Sequence, residues 1–311
     1  MSDDPFSDVL SILQPRVHVA GGFDLGKNWA IAFDAHAGIK CFALVTGRCW
    51  LAVEENGQPI LLEAGDCVLL PSGRRFVMTS DPADPSQDPI RFAALPDLDW
   101  QNGIVTLKGG GDTMLLGGHF DFDGAHTDVL LGAMSPIGRL RDDDDKAGVR
   151  WVLDRLRREL IMARPGRTLV VRQLSHLLLV QALRLHIAQE GEHAAGWLFA
   201  FRDPKISKAV LAIHSDPGAP WTVTKLAETA GMSRSRFAER FSRITGSSPL
   251  DYVLRWRMLL AQDWLRHREP VPAIAARLGY ASEAAFRTAF KRLTGVSPRR
   301  YAQGVLIFNQ N

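Results

Sequence analysis

The sequence predicts an α+β protein of two domains, a β-barrel with attached helices followed by an all-α unit. Residues 5–140 carry short β-prone runs punctuated by Gly, Pro and Asp, after which the texture changes to helical periodicity. Near the C-terminus one segment occurs twice: residues 233–252 read SRSRFAERFSRITGSSPLDY and residues 282–301 read SEAAFRTAFKRLTGVSPRRY. Charge divides along the same line. Residues 203–301 hold 17 Lys and Arg against 8 Asp and Glu, whereas the rest of the chain holds 20 against 26. At 311 residues and 46% hydrophobic content, the chain can fill two cores.

In chain order, the clearest strands are 39–45, 48–53, 59–62, 67–70 and 75–79, with tight turns at Ala64-Gly65-Asp66 and Pro71-Ser72-Gly73. The aspartates at 142–145 suit a solvated loop and the N-terminus of a helix. A helix over 147–163 follows, with Trp151, Leu153, Leu156, Leu160 and Ile161 as its apolar content. A second, over 169–189, has Leu174, Leu177, Leu178, Ala182, Leu185 and Ile187, and residues 191–196 read as a linker. The expected domains are therefore 1–195 (barrel about 5–140, helices about 146–190) and 203–303. Apolar residues surround more of the 169–189 helix than one barrel wall would cover, which predicts a homodimer held by the helical region 147–189.

The repeat explains the C-terminal helices. A shift of 49 lays Phe237 on Phe286, Phe241 on Phe290, Thr245 on Thr294, Gly246 on Gly295, Pro249 on Pro298 and Tyr252 on Tyr301. A shift of 48 lays Val223, Leu226, Ala227 and Gly231 on Val271, Ile274, Ala275 and Gly279, the extra residue following the glycine. Thr222 can cap a first helix, and Gly231 accepts the left-handed turn that follows. Ser233 opens a second helix whose Phe237, Phe241 and Ile244 form one buried stripe. The second copy uses Ser282, Phe286, Phe290 and Leu293 in the same way. The spacing predicts two helix-turn-helix motifs, at about 222–243 and 270–293. Residues 249–267 join them as a helix of about five turns. A basic segment of this anatomy on an acidic remainder points to double-stranded DNA as partner.

The motifs WTVTKLAETAGMSRSRFAERF, LRWRMLLAQDWL and IAARLGYASEAAFRTAFKRLTGVSPRRY resemble the AraC/XylS family of bacterial transcription regulators. The resemblance covers roughly residues 203–303. It implies a seven-helix unit, its first helix near 203–214, with two recognition helices in successive major grooves and RNA polymerase as a partner. GIKCFALVTGRCWLAV and LEAGDCVLLPSGRRFVM resemble the small cupin barrel that many of these regulators carry. Cupin enzymes hold a metal with histidines in the early strands and after the P-x-G turn. The corresponding places here fall near residues 41–44 and at Phe76, without histidine, so no metal and no cofactor is expected. Phe42, Leu44, Leu51 and Phe76 would line either an apolar ligand pocket or a packed core.

With Phe237, Phe241 and Ile244 buried, the opposite face of the helix over 233–245 presents Ser235, Arg236, Ala238 and Glu239 to base edges. The helix over 282–294 presents Ala284, Ala285 and Thr288. Arg234, Arg240, Arg243, Arg287, Lys291, Arg292, Arg299 and Arg300 are the candidate phosphate contacts. No nucleophile elbow, phosphate-binding glycine loop or Cys-x-x-Cys pair appears, and no enzymatic activity is expected. His18, His36, His119 and His126 lack metal-ligand spacing. If Thr46-Gly47 turns a hairpin, Cys49 faces with Leu44 while Cys41 lies opposite, so those two thiols should not bridge. Residues 168–187 contain Arg172, His176, Gln181 and Arg184 and so do not read as a membrane span. Residues 1–15 lack a signal region, and a cytoplasmic protein is expected. The reading is a sequence-specific regulator, an activator answering a small molecule or other signal through its barrel. A constitutive regulator whose barrel only dimerises, and a cupin enzyme with a DNA-binding tail, stay open as alternatives.

Overall fold

The computed structural model describes residues 5–13, 15–54, 58–71, 73–84, 88–94, 103–121, 138–140, 143–162, 164–189 and 197–308. Contacts divide the described residues into two compact units, one within 15–121 and 138–189 and one of residues 5–13 and 197–308. Helix α1 (Pro5–Leu13) opens the chain and belongs to the second of these.

The first unit is a barrel of two facing sheets. Strands β1 (Arg16–Leu25), β2 (Ala30–Phe33), β3 (Ile39–Thr46), β4 (Arg48–Val53), β5 (Ile60–Glu63) and β6 (Cys67–Leu70) come first. They are followed by β7 (Phe76–Thr79), β8 (Ile90–Arg91), β9 (Ile104–Leu107), β10 (Thr113–Asp121) and β11 (Gly138–Leu140). One sheet runs β11-β6-β3-β10-β1-β9 and the other β5-β4-β7-β2-β8. Between them lies a core that includes Phe23, Leu25, Phe33, Leu44, Leu51 and Met78. Helices α2 (Asp143–Ile161) and α3 (Arg167–Gln189) pack on each other, and α3 also lies on β1, β6 and β11. Both faces of β3 are consequently buried at its centre, and its hydrophobic run does not alternate.

Several expectations change here. The strands start at Arg16, not near residue 5, because residues 5–13 are helical and pack on C-terminal helices. Thr46-Gly47 does not turn a hairpin: β3 and β4 lie in different sheets, and the chain crosses between them there. Cys49 nonetheless shares the inner core with Leu44. On the other face of β3, Cys41 Sγ comes within 3.5 Å of Cys67 Sγ, a pairing absent from the sequence reading. The Cys41 hydrogen bond and burial hold the Cys67 thiol well above its usual range, and burial raises Cys49 to about 12. All three are buried, free thiols that fill space. Most of the apolar surface of α3 is also accounted for within its own unit, since Val171, Leu174, Leu178, Leu179, Leu183 and Leu185 are buried. His126 and the linker at 191–196 lie outside the described residues.

The second unit holds seven helices after residue 203 among the described residues. These are α4 (Pro204–Ser215), α5 (Val223–Thr229), α6 (Arg234–Thr245), α7 (Pro249–Arg266), α8 (Val271–Arg277), α9 (Glu283–Thr294) and α10 (Pro298–Phe308). Helix α1 packs against α4 and α7. Asp203 caps α4 by accepting from the N–H groups of Lys205 and Ile206, and Pro204 takes the first helical position. Ser248-Pro249 opens α7 in the same manner, with Ser248 accepting from Asp251 N–H.

Candidate nucleic-acid interface

The duplicated sequence folds into a duplicated frame. In the first motif Phe237 and Phe241 are fully buried, 5.4 Å apart, and Tyr252 meets Phe241 edge-on at 5.5 Å. In the second, Phe286 and Phe290 are fully buried at 5.7 Å, and Tyr301 meets Phe290 edge-on at 5.7 Å. Each recognition helix ends alike. Thr245 Oγ1 donates to Phe241 O at 2.9 Å, and Thr294 Oγ1 to Phe290 O at 2.8 Å, before a left-handed Gly246 or Gly295. Repeated Phe, Thr-Gly, Ser-Pro and Tyr are thus the residues of an aromatic cluster and a helix elbow.

The turn inside each motif is also shared, with unequal constraint. Gly231 and Gly279 both have φ above +60°. A Cβ at Gly279 would meet Gly218 O at 2.0 Å, whereas nothing lies within 4 Å of one at Gly231. Gly279 is followed by Tyr280, which packs edge-on to Phe286 and lies under the Arg257 guanidinium. Helix α7 ties the two motifs together. Its Arg257 donates to Pro217 O and Ala219 O, and its Tyr252 and Trp256 stack with His214 of α4. His214 Nε2 lies 2.9 Å from the Tyr252 hydroxyl, and burial pushes the imidazole pKa down to about 3.

On the outer face of α6, Arg234, Ser235, Arg236 and Glu239 are exposed and Ala238 is half-buried. Ser233 occupies the N-cap position without a side-chain cap hydrogen bond. On α9, Ala284, Ala285 and Thr288 are exposed, and Ser282 caps the helix through Ala285 N–H. Thr288 Oγ1 donates to Ala284 O at 3.0 Å, which leaves its methyl outward.

The expected phosphate contacts do not form one class. Arg243, Lys291, Arg292, Arg299 and Arg300 are exposed and make no ion pair among the described residues. Arg287 is exposed but paired with Glu283 one turn earlier. Arg240 is engaged elsewhere: its Nε donates to Asp203 Oδ2 at 2.6 Å, which ties α6 to the start of α4. Burial pushes the Asp203 carboxyl up, but the Ile206 N–H, the Arg240 guanidinium and the Lys205 N–H outweigh it and hold the pKa below the ordinary value. Arg240 was expected at a phosphate because it lies on a basic helix, and its partner stands too far upstream for local spacing to reveal it.

In the barrel, the four residues read as a pocket also separate. Phe42 lines a cavity of about 100 Å³, while Phe76 stacks on Phe33 at 4.5 Å and Leu44 and Leu51 are filled core. His36 and His119 rings lie 5.6 Å apart. Their Nε2 atoms face Leu70 O at 3.2 Å and Ala37 O at 2.7 Å, so backbone carbonyls occupy them. Among the described residues no group of three or more His, Cys, Asp or Glu could hold a metal ion, and no helix is long and apolar enough to cross a membrane.

Two helices held in one rigid frame, each with a polar outer face and cationic flanks, define a tandem helix-turn-helix DNA-binding unit. Comparison with known proteins agrees. A cupin family model matches residues 4–188, and a helix-turn-helix domain model matches residues 226–304. The chain is 38% identical over 301 residues to an AraC-like transcription regulator of Streptomyces lividans, a match covering 96% of this chain and 97% of that protein. It is 30% identical over 283 residues to the HTH-type transcriptional regulator AlkR of Acinetobacter baylyi, covering 89% and 91%. A solved DNA-binding domain of AdpA, in complex with a target DNA, is 35% identical over 33% of this chain and 92% of its own, with a TM-score of 0.31. The chain belongs to the AraC-like family of transcription regulators, and it is a DNA-binding transcription regulator with a cupin domain.

Proposed function

We propose that the protein activates transcription by placing α6 and α9 in successive major grooves of duplex DNA, under control of a small molecule received by its barrel. The carrying observation is the shared frame: burial of Phe237 and Phe241 on one side, and of Phe286 and Phe290 on the other, turns the two remaining faces outward. On this reading Ser235, Arg236, Ala238 and Glu239 meet base edges of one groove, and Ala284, Ala285 and Thr288 meet those of the next. Arg234, Arg243, Lys291, Arg292, Arg299 and Arg300 hold phosphates, with Arg287 available once released from Glu283. RNA polymerase is the partner through which such a regulator activates.

The protein acts as a homodimer through the α2–α3 hairpin. Trp151, Ile161, Met162 and Leu169 are 61%, 52%, 45% and 53% exposed there, and they are most of the large exposed apolar residues described in the chain. Pairing two DNA-binding units on repeated half-sites raises the effective concentration of the second.

Selection of binding sites from random duplexes by the full-length protein tests the reading. The expected sites hold two conserved blocks about one helical turn apart, bound with steep salt dependence. A single block, or affinity indifferent to salt, would overturn it.

A further inference from the structure

The two recognition helices are joined by α7 with an elbow at each end. Gly246, at φ 74°, turns the chain from α6 into α7, and Arg268, at φ 62°, turns it from α7 towards α8. Helix α7 sets the distance between the motifs, but their rotation about it needs contacts that cross from one motif to the other. Such contacts exist. The loop leading into the first motif, residues 216–221, lies against the turn of the second. A Cβ at Gly218 would meet Arg277 O at 2.5 Å, and one at Gly279 would meet Gly218 O at 2.0 Å, so backbone touches backbone there. The loop is itself braced: Asp216 Oδ1 accepts from Ala219 N–H at 3.1 Å, and Trp221 Nε1 donates to Asp216 O at 2.8 Å.

Arg257 sits where this loop, the linker helix and the second turn meet. It projects from the middle of α7 and is half-buried. Its Nε donates to Pro217 O at 2.6 Å and its Nη2 to Ala219 O at 2.8 Å, on either side of Gly218. Its guanidinium carbon lies 5.8 Å from the ring centroid of Tyr280, the neighbour of Gly279. A planar fork with donors in fixed directions holds a backbone segment in one orientation, which a point charge does not. The guanidinium is spent on main-chain carbonyls and an aromatic face, and these belong to different motifs.

We propose that Arg257 fixes the phase between α6 and α9, and with it the number of base pairs the protein requires between the two blocks it reads. The inference rests on the reading of α6 and α9 as helices in successive grooves. One base pair more or fewer between the blocks moves the second block by about 3.4 Å and turns it by about 35° around the duplex axis. A clamped pair of helices cannot follow that displacement, whereas a pair joined by α7 and its elbows alone can follow part of it. Arg257 is a positioning residue: it meets no base, yet it decides which spacings count as a site.

The test uses full-length protein and the duplex recovered by selection from random sequences, resynthesised with one base pair added or removed between its blocks. Wild type should lose at least about tenfold in affinity at either altered spacing. Arg257→Met keeps the stem and releases the loop, and should lose about threefold or less. Arg257→Lys, which can hold one carbonyl, should fall between them. Tyr280→Leu, which removes the ring beneath the guanidinium, should relax spacing in the same direction and decides the matter if Arg257→Met does not fold. Ile206→Val, a core change in α4, lowers stability alone and should keep the wild-type preference. Melting curves of every variant separate stability from spacing. If Arg257→Met weakens all three duplexes by one factor, or Ile206→Val relaxes spacing as much, Arg257 is merely structural and the inference is overturned. Wild-type affinity indifferent to spacing overturns it too, while the two-block reading stands. A selection that returns a single block overturns that reading, and the phase role with it.

Discussion

Arg240 separates two roles that a basic recognition helix confounds. In the structure its guanidinium is spent on Asp203, whose carboxylate also caps α4 through two backbone N–H groups. Replacing Arg240 by Met keeps the stem and removes the pair. A charge-assisted hydrogen bond to a buried carboxylate is worth about 1.5–3 kcal/mol. Arg240 is 39% exposed, so screening brings the expected loss to about 1–2 kcal/mol. Asp203→Asn separates the cap from the charge, because asparagine caps helices about as well as aspartate. A double-mutant cycle with Arg240→Met should then return a coupling of about 1 kcal/mol. The DNA readout is the sharper one. Each phosphate contact contributes about 0.9 to the slope of log affinity against log salt. Arg243→Ala should lower that slope by about this amount, and Arg240→Met should leave it alone while lowering the melting temperature. If Arg240→Met removed a full unit of slope and cost no stability, Arg240 would belong on the DNA, and the Asp203 contact would be incidental.

The other expectations are of different kinds. Gly279→Ala adds contact with Gly218 O at 2.0 Å to the strain of a left-handed residue, and should destabilise by more than about 2 kcal/mol. Gly231→Ala has only the strain and should cost about 1 kcal/mol; melting curves showing the reverse order would count against the packing described. Glu239→Ala should relax base preference in one half of the site, at about 1–3 kcal/mol of discrimination, whereas Lys291→Ala should weaken all sequences alike; selection experiments giving the opposite pattern would reverse the assignment of faces. His214, with a folded pKa of about 3 against 6.5, stays neutral in the fold, so its contribution is complete above pH 6.5 and is lost as pH falls toward 3. By about pH 5 the loss is about 2 kcal/mol. Calorimetry should show a smaller loss in His214→Phe, and equal acid sensitivity of the two proteins would refute the cause.

What could be read from sequence follows the range of the interaction. The helix-turn-helix frame was legible because Phe237, Phe241 and Thr245 follow one another at intervals of about one helical turn, and the second copy repeats them. Strands β3 to β7 were legible from β-branched and aromatic runs between turn residues. Strands β1 and β10 were not, because Gly21, Gly22, Gly117 and Gly118 weaken their propensity and register with distant partners supplies the order. The barrel cavity escaped for the same reason, since it consists of side chains missing on two strands far apart in sequence. Local spacing also could not show that Arg240 answers Asp203, or that Cys41 lies beside Cys67.

The two motifs share their buried side while their outer faces have diverged, and this has a consequence for specificity. On α6 the outer face carries Arg234, Ser235, Arg236 and Glu239, groups that can donate to or accept from base edges. On α9 the Thr288 hydroxyl is returned to its own helix and Arg287 is paired with Glu283, so what faces outward is Ala284, Ala285 and a methyl. Methyl groups can touch a thymine methyl, but they cannot make the bidentate contacts that distinguish guanine or adenine. On the proposed reading, α6 therefore carries most of the sequence information, and α9 contributes register and the shape of its groove. The frame tolerates this asymmetry because its stabilising residues, from Phe237 to Tyr301, all lie on the side away from the faces that differ. Changes of target preference on α6 can thus accumulate at little cost in stability, while the turn at Gly279, closed against Gly218, keeps the second helix in place.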